Sequence, residues 1–195
     1  MALGHKTKTK IALCYLQLCE EKQSSKVSVR EVATKAEINR QTFYYHFKDI
    51  DTLLHWIYCN DALRFLIEEQ VTLSNWEEQV LKLLKAIYNK RDFYQMMLLE
   101  NRESVIHAFF PTIENVFRQL FLQVDEEKKL SEKDHQFYSR FFSFGCCGIL
   151  ETWIREDYVE QPVEIAAQLF QLAKDIELFS YRIFQRIENE QGGLS

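Results

Sequence analysis

Ten consecutive residues, Asn39-Arg40-Gln41-Thr42-Phe43-Tyr44-Tyr45-His46-Phe47-Lys48, carry the chain's densest set of side chains able to read a nucleic acid. An arginine grips guanine through two donors, a glutamine pairs with adenine, and a threonine methyl touches the thymine methyl. Arg40, Gln41 and Thr42 are therefore the candidates for base edges in a major groove. Tyr44, His46 and Lys48 come where such a helix ends near the backbone, so phosphate contact is expected of them. Ser28 and Arg30, at the start of the preceding helix, are expected to do the same, helped by the partial positive charge of a helix N-terminus. Phe43 and Phe47 are the expected core anchors, and Tyr45 is expected to pack rather than face DNA.

Other chemistries lack their residues. No glycine-rich loop is placed to cradle phosphate, and no Ser or Cys nucleophile has a base and an orienting group nearby. The five His (5, 46, 55, 107 and 135) are scattered without ligand spacing, so no metal site and no cofactor is expected. The five Cys are odd in number and lack C-x-x-C spacing, which points to buried thiols in a reducing cytoplasmic compartment. No apolar run approaches the roughly 20 residues of a membrane span.

The net charge of −5 is unevenly spread. Residues 1–50 hold nine Lys/Arg against five Asp/Glu, a balance of +4, whereas the remainder holds fifteen against twenty-four, a balance of −9. A basic head on an acidic body is the footprint of a protein that meets phosphates at one end.

The elements that must position these residues are helices. Two prolines and five glycines in 195 residues leave too few turn-formers for a sandwich of strands, and 47% of the chain is hydrophobic. Periodicity predicts a helix over Thr7 to Lys22 with Ile11, Tyr15, Leu18 and Cys19 on one stripe. After a break at Ser24 and Ser25, Ser28 and Glu31 form a capping box that opens a short helix through Ala36, with Val29, Val32 and Ala33 inward. Glu37-Ile38 is a tight turn, Asn39 caps a helix of Arg40 to Tyr45, and Asp49 caps a long one from Ile50 to about Val71. Two short helices joined by such a turn describe a helix-turn-helix.

On the string Thr42-Phe43-Tyr44-Tyr45-His46-Phe47, followed by Leu53-Leu54, the sequence resembles the TetR/AcrR family of bacterial transcription regulators across residues 7 to 56. Leu54-His55-Trp56-Ile57 and Trp153-Ile154 look most like its dihydroxyacetone-kinase-type subgroup. Two positions depart from the family pattern: Glu37 stands where glycine is usual in the turn, and Ile50 where lysine is common. The resemblance implies an all-α fold of about nine helices. Residues 1–50 would be the helix-turn-helix DNA-binding domain and residues 51–195 the effector-binding and dimerisation domain.

In the body, Ser74 and Glu77 read as a capping box for a helix to Asn89, followed by a segment Asp92 to Leu99. A helix from Ser104 to Val124 contains Pro111, which predicts a kink or break. Asp125 to Lys129 reads as a solvated linker, Ser131 as the cap of a helix to Asp157, and Pro162 as the first turn of a last helix to Ile187. That last helix carries Ile165, Leu169, Leu172, Ile176, Phe179 and Ile183 at a period of 3.5. Gly145 and Gly148 are expected to let a neighbouring helix approach. With Leu169, Leu172, Ile176, Phe179 and Ile183 they are the candidate dimer-interface residues that the resemblance implies. It also implies an effector pocket, for which Trp76, Tyr88, Tyr94, Met97, His107, Phe110, Tyr138, Phe142, Cys146 and Trp153 are candidates; His107 is expected to be a satisfied core residue. The expected partners are a double-stranded palindromic operator, a second copy of the chain, and a small-molecule effector or a protein co-regulator, with no membrane. The leading expectation is a ligand-responsive repressor. An activator controlled by a protein partner is the alternative, as is a helical adaptor without specific DNA binding, against which Arg40, Gln41, Thr42 and His46 argue.

Overall fold

In the first fifty residues three amphipathic helices close on one another. α1 (Ala2–Lys22) buries Ile11, Ala12, Tyr15 and Cys19, α2 (Val29–Lys35) buries Val32 and Ala33, and α3 (Arg40–His46) buries Phe43. The computed structural model that shows this describes residues 2–125 and 130–175. α1 begins five residues before its apolar stripe predicts. Its extra turn gains a tertiary contact, His5 lying 5.8 Å from the Trp56 ring.

The expected long fourth helix is instead two pieces. α4 (Ile50–Asn60) stops at Asp61, whose carboxylate accepts from the Tyr94 hydroxyl at 2.8 Å and pairs with the Lys90 ammonium. Held by residues so far along the chain, Asp61 leaves helical geometry, and the single turn α5 (Arg64–Ile67) follows. The expected cap at Ser74 also fails. Ser74 bonds the Thr72 hydroxyl, while Asn75 Oδ1 accepts the Thr72 N–H at 2.8 Å, so the cap position passes to Asn75 and α6 (Trp76–Asn89) starts one residue later. α7 (Arg91–Glu100) and α8 (Arg102–Val124) come next. α8 runs on through Pro111 without a break. Val105, Ala108 and Phe109 before the proline and Ile113 and Val116 after it are all buried, so the core holds both halves, and the Thr112 hydroxyl donates to the Ala108 carbonyl at 3.1 Å. Residues 126–129 of the expected linker lie outside the described residues.

α9 (Glu132–Arg155) opens on a capping box of Ser131 and Asp134. Its inner face is a column of His135, Ser139, Ser143 and Cys147, narrow enough for close packing on α8. The two serine hydroxyls are satisfied within the helix, donating to the His135 and Ser139 carbonyls at 2.7 and 2.6 Å. The body's core is aromatic: Tyr58, Tyr94 and Phe109 have ring centroids 5.9 to 6.2 Å apart, and Tyr158 meets Trp153 edge-on at 4.9 Å. All five cysteines are unpaired, and Cys14, Cys19 and Cys147 are buried. Residues 1–159 form one unit, and the expected boundary at residue 50 falls inside it, at the first turn of α4. Residues 160–195 form another, whose described helix covers 162–175 and begins at Pro162. Ile176, Phe179 and Ile183 lie outside the described residues.

Three helices end the same way without glycine. Gln23, Glu37 and Asp157 take φ of 50°, 52° and 59°. In each case the next residue's N–H reaches five residues back, as Ile38 does to Ala33 at 3.0 Å, and the residue itself bonds three back, as Glu37 does to Thr34 at 3.1 Å. This is the Schellman arrangement, in which a left-handed residue satisfies the last carbonyls of a helix. A side chain at that conformation costs about 1–2 kcal/mol, while glycine adds about 0.4–1 kcal/mol of unfolded-chain entropy. Glu37 is held only by an exposed ion pair to Lys10 at 3.9 Å, and such pairs contribute little. Glu37→Gly is therefore expected to stabilise the chain by about 0.5–1 kcal/mol, read as a rise of about 2–3 °C in melting temperature. An unchanged or lower melting temperature would contradict the assignment of strain to this turn.

Candidate nucleic-acid interface

α3 is presented by its cap. Asn39 Oδ1 accepts the Thr42 N–H at 2.7 Å and the Thr42 hydroxyl at 2.9 Å, which fixes the first turn and leaves the Thr42 methyl as that side chain's outward group. Phe43 is fully buried, while Arg40, Gln41, Tyr44 and Tyr45 are all exposed; spacing puts Gln41 and Tyr45 opposite Phe43 and leaves Arg40 and Tyr44 on the flank of the helix. Arg40 and Gln41 make no ion pair or side-chain hydrogen bond among the described residues, so their donors are available to a ligand. Tyr45, expected to pack, is 84% exposed, because burial of Phe43 and Phe47 leaves it on the outer face. Its ring meets His46 edge-on at 5.0 Å, and it joins the candidate contacts.

Around α3 the structure gathers most of the expected phosphate contacts. Lys48 is exposed one residue beyond Phe47, and Arg30 is exposed on α2 without an ion pair among the described residues. Ser28 is committed elsewhere. Its hydroxyl donates to Glu31 at 2.7 Å and accepts the Glu31 N–H at 3.3 Å, so phosphate contact would require it to give up its capping box. The Lys22 ammonium at 2.7 Å and the Ser28 donors pull the Glu31 carboxyl down to about 2, which keeps that cap charged at any ordinary pH. One cation was not foreseen: Lys8 of α1 lies 5.5 Å over the Phe47 ring, adding positive charge beside the end of α3. The alternating Lys6, Lys8 and Lys10 were its visible trace in the sequence.

The pocket candidates meet in small groups and do not line one common pocket. Tyr94 and Met97 are buried beneath α4, where Tyr94 meets Tyr58 and Phe109; Trp153 is buried against Tyr88 and Tyr158. Phe142 and the exposed Tyr138 meet Phe121, and Phe110 meets Phe144 at 4.6 Å. Trp76 and Cys146 are half-buried, with burial pushing the Cys146 thiol up to about 11. His107 is exposed rather than a core residue, since Val105, Ala108 and Phe109 occupy the inner face of α8. A cleft of about 510 Å³ lies between the α5–α6 connection and α8, lined in part by Leu66, Gln70, Pro111, Thr112, Asn115 and Gln119. None of the ten candidates lines it. Gly145 and Gly148 meet no close neighbour among the described residues, a Cβ at either finding nothing within 4 Å, because both sit on the outer face of α9. Of the dimer candidates on the second unit, Leu169 is half-exposed and Leu172 is 48% exposed.

A capped helix whose Arg40 and Gln41 donors have no partner among the described residues, set behind a tight turn in a chain whose described elements are all helices, is the arrangement of a helix-turn-helix DNA-binding regulator. Family comparison agrees: residues 16–57 match the model for bacterial regulatory proteins of the tetR family, and residues 74–175 match a transcriptional regulator C-terminal region. The chain belongs to the TetR family and is a DNA-binding transcriptional regulator. It is 29% identical over 156 residues to the HTH-type dhaKLM operon transcriptional activator DhaS of Lactococcus lactis, covering 77% of this chain and 81% of that one. A solved structure of a dihydroxyacetone kinase operon activator DhaS superposes with a TM-score of 0.67 at 25% identity, covering 88% of this chain and 97% of that one. NalD of Pseudomonas aeruginosa, a secondary repressor of a multidrug efflux pump, shares the fold with a TM-score of 0.58 at 20% identity, over 86% and 94% of the two chains.

Two substitutions separate base reading from phosphate contact. Arg40→Ala is expected to cost about 1–3 kcal/mol on the cognate site and to relax sequence preference. Lys48→Ala is expected to weaken binding uniformly and to lower the salt slope by about one. Gel-shift titrations on operator and scrambled DNA across salt concentrations check both. Unchanged discrimination in the arginine variant would remove Arg40 from the reading set.

Proposed function

We propose that the chain reads a two-fold-symmetric operator as a homodimer in the cytoplasm, and that a regulatory input acts by changing the separation of its two reading helices. The observation that carries this reading is the exposed surface of α3, where Arg40, Gln41, Tyr44 and Tyr45 face solvent and Arg40 and Gln41 have no side-chain partner among the described residues. Support for the dimer comes from the outer face of α9, where Phe137, Phe141 and Phe144 are 56 to 64% exposed around Gly145 and Gly148. An apolar strip of that density marks a surface that another protein covers, and paired half-sites one helical turn apart need two heads. The input must bind one state better than the other, or it shifts nothing.

A small effector releasing a repressor is one form of this reading. Activation under a protein partner is the second, favoured by the likeness to a relative named as an activator and by the dispersal of the aromatic pocket candidates. Footprinting on DNA flanking the chain's own gene, with and without candidate metabolites, tests the core of the proposal. Protection of a pseudo-palindrome supports it, and only non-specific binding at physiological salt would refute it. A reporter on that DNA gives the sign, expression falling on deletion for an activator and rising for a repressor.

Phe141→Asp with Phe144→Asp is expected to convert the dimer to monomer in sedimentation without loss of helical circular dichroism. Operator affinity should fall about 100-fold or more as the avidity of two heads is lost. A doubly substituted chain that still sediments as a dimer would move the interface elsewhere.

A further inference from the structure

The corner between α1 and α2 is gripped from the body. Glu100, the last residue of α7, accepts three hydrogen bonds through Oε2: from the Ser25 N–H at 2.7 Å, the Ser25 hydroxyl at 2.8 Å and the Ser24 hydroxyl at 3.0 Å. From the other side the Tyr15 hydroxyl donates to the Ser25 carbonyl at 3.2 Å. Both backbone polar groups of Ser25 are thus held by side chains, and three residues later Ser28 caps α2. The position of Ser25 sets where α2, the first helix of the helix-turn-helix, begins.

Glu100 is itself held by its surroundings. Asn101, the one residue between α7 and α8, donates its N–H to the Met97 carbonyl at 2.7 Å, and Arg102 begins α8. The Arg102 guanidinium makes a two-point contact with Glu151 of α9, Nε to Oε1 at 2.8 Å and Nη2 to Oε2 at 2.7 Å. Arg155 adds a third donor to Glu151 at 2.9 Å. Two-point guanidinium–carboxylate pairs fix direction as well as distance. Glu151 lies three residues beyond Gly148, which opens on the outer face of α9.

We infer that Glu100 is a positioning residue of the DNA-reading head, and that the Arg102–Glu151 pair sets its placement, so that a displacement of α9 reaches α2 through Arg102, Asn101, Glu100 and Ser25. The inference rests on the DNA-binding reading above and deepens it by naming a route for regulation. Glu100 is exposed and Arg102 about half-exposed, although the Glu151 side chain is only 17% exposed, so a purely stabilising role at Glu100 would be small. A positioning role predicts a different pattern, a large local effect with little change in melting temperature.

The test uses the full chain and compares wild type, Glu100→Ala, Glu100→Gln, Arg102→Ala and the double variant Glu100→Ala with Arg102→Ala. Without DNA, Glu100→Ala is expected to speed amide exchange at Ser25 about tenfold, as loss of a charge-assisted hydrogen bond would, and to speed exchange in the first turn of α2. Glu100→Gln, which keeps an acceptor oxygen, should restore part of the protection. Arg102→Ala should loosen the same amides to a smaller degree, although it touches none of them. Operator affinity should fall about 5- to 10-fold in Glu100→Ala, with the double variant no weaker than Glu100→Ala alone. Wild-type exchange at Ser25 in Glu100→Ala would overturn the positioning role. Strictly additive effects of the two substitutions, in exchange or in affinity, would overturn the route through Arg102. Were wild type to lack specific DNA binding, the functional reading would fail by itself, and the exchange measurements would still decide the inference.

Discussion

A seven-residue helix does not hold itself together in water, because too few hydrogen bonds repay the cost of nucleation. α3 exists because Phe43 and Phe47 are removed from solvent, Phe43 completely, with the Phe47 ring seated 6.0 Å from Trp56 of α4 and beneath Lys8 of α1. The same burial decides function. Once Phe43 and Phe47 point inward, spacing leaves Gln41 and Tyr45 on the outer side with Arg40 and Tyr44 exposed on the flank, so the proposed reading face depends on the anchor as much as on its own residues.

Charge in the head is organised by the same economy. Of its nine cations, Lys10, Lys22 and Lys35 are engaged by Glu37, Glu31 and Glu21, whereas Arg30, Arg40 and Lys48 make no ion pair among the described residues. Asp49 is occupied at the start of α4, accepting from the Thr52 N–H and hydroxyl at 2.8 and 2.7 Å. Glu21, Glu31 and Glu37 therefore neutralise cations other than Arg30, Arg40 and Lys48, and Asp49 serves as a helix cap. A balance of +4 understates the positive charge that a phosphate backbone would meet there.

What the sequence made legible was local. Ser28, Asn39, Asp49 and Ser131 cap their helices as their types and spacing predict, because a cap is a contact across three residues. What it concealed depended on distance or on backbone geometry. The end of α4 is set by Lys90 and Tyr94 acting on Asp61 from far along the chain. Gln23, Glu37 and Asp157 end helices in a conformation associated with glycine, since the hydrogen bonds they complete outweigh the side-chain penalty. Tyr45 looked like a packing residue because aromatics usually are, and only the burial of its neighbours shows that no inward position was left. The pocket candidates failed to converge for a related reason: helical spacing identifies residues on one face of one helix but says nothing of which faces meet.

α9 shows how one helix can serve two surfaces. Its inner column of histidine, serine and cysteine lacks large apolar side chains, and the two serines satisfy their own hydroxyls against preceding carbonyls, so α8 packs closely without leaving the serine donors unpaired. Large aromatics of its first half stand on the other side, where Phe137, Phe141 and Phe144 face outward beside two glycines, while Trp153 near its end is in the core. The arrangement makes sense when the outer face also has a protein to meet, which is the reasoning behind a second copy of the chain. It also gives Glu151 its interest. In the proposed dimer, α9 would be seated in the interface and tied by a two-point contact to the start of α8, and the grip of Glu100 on Ser25 would extend that connection to the helix before α3.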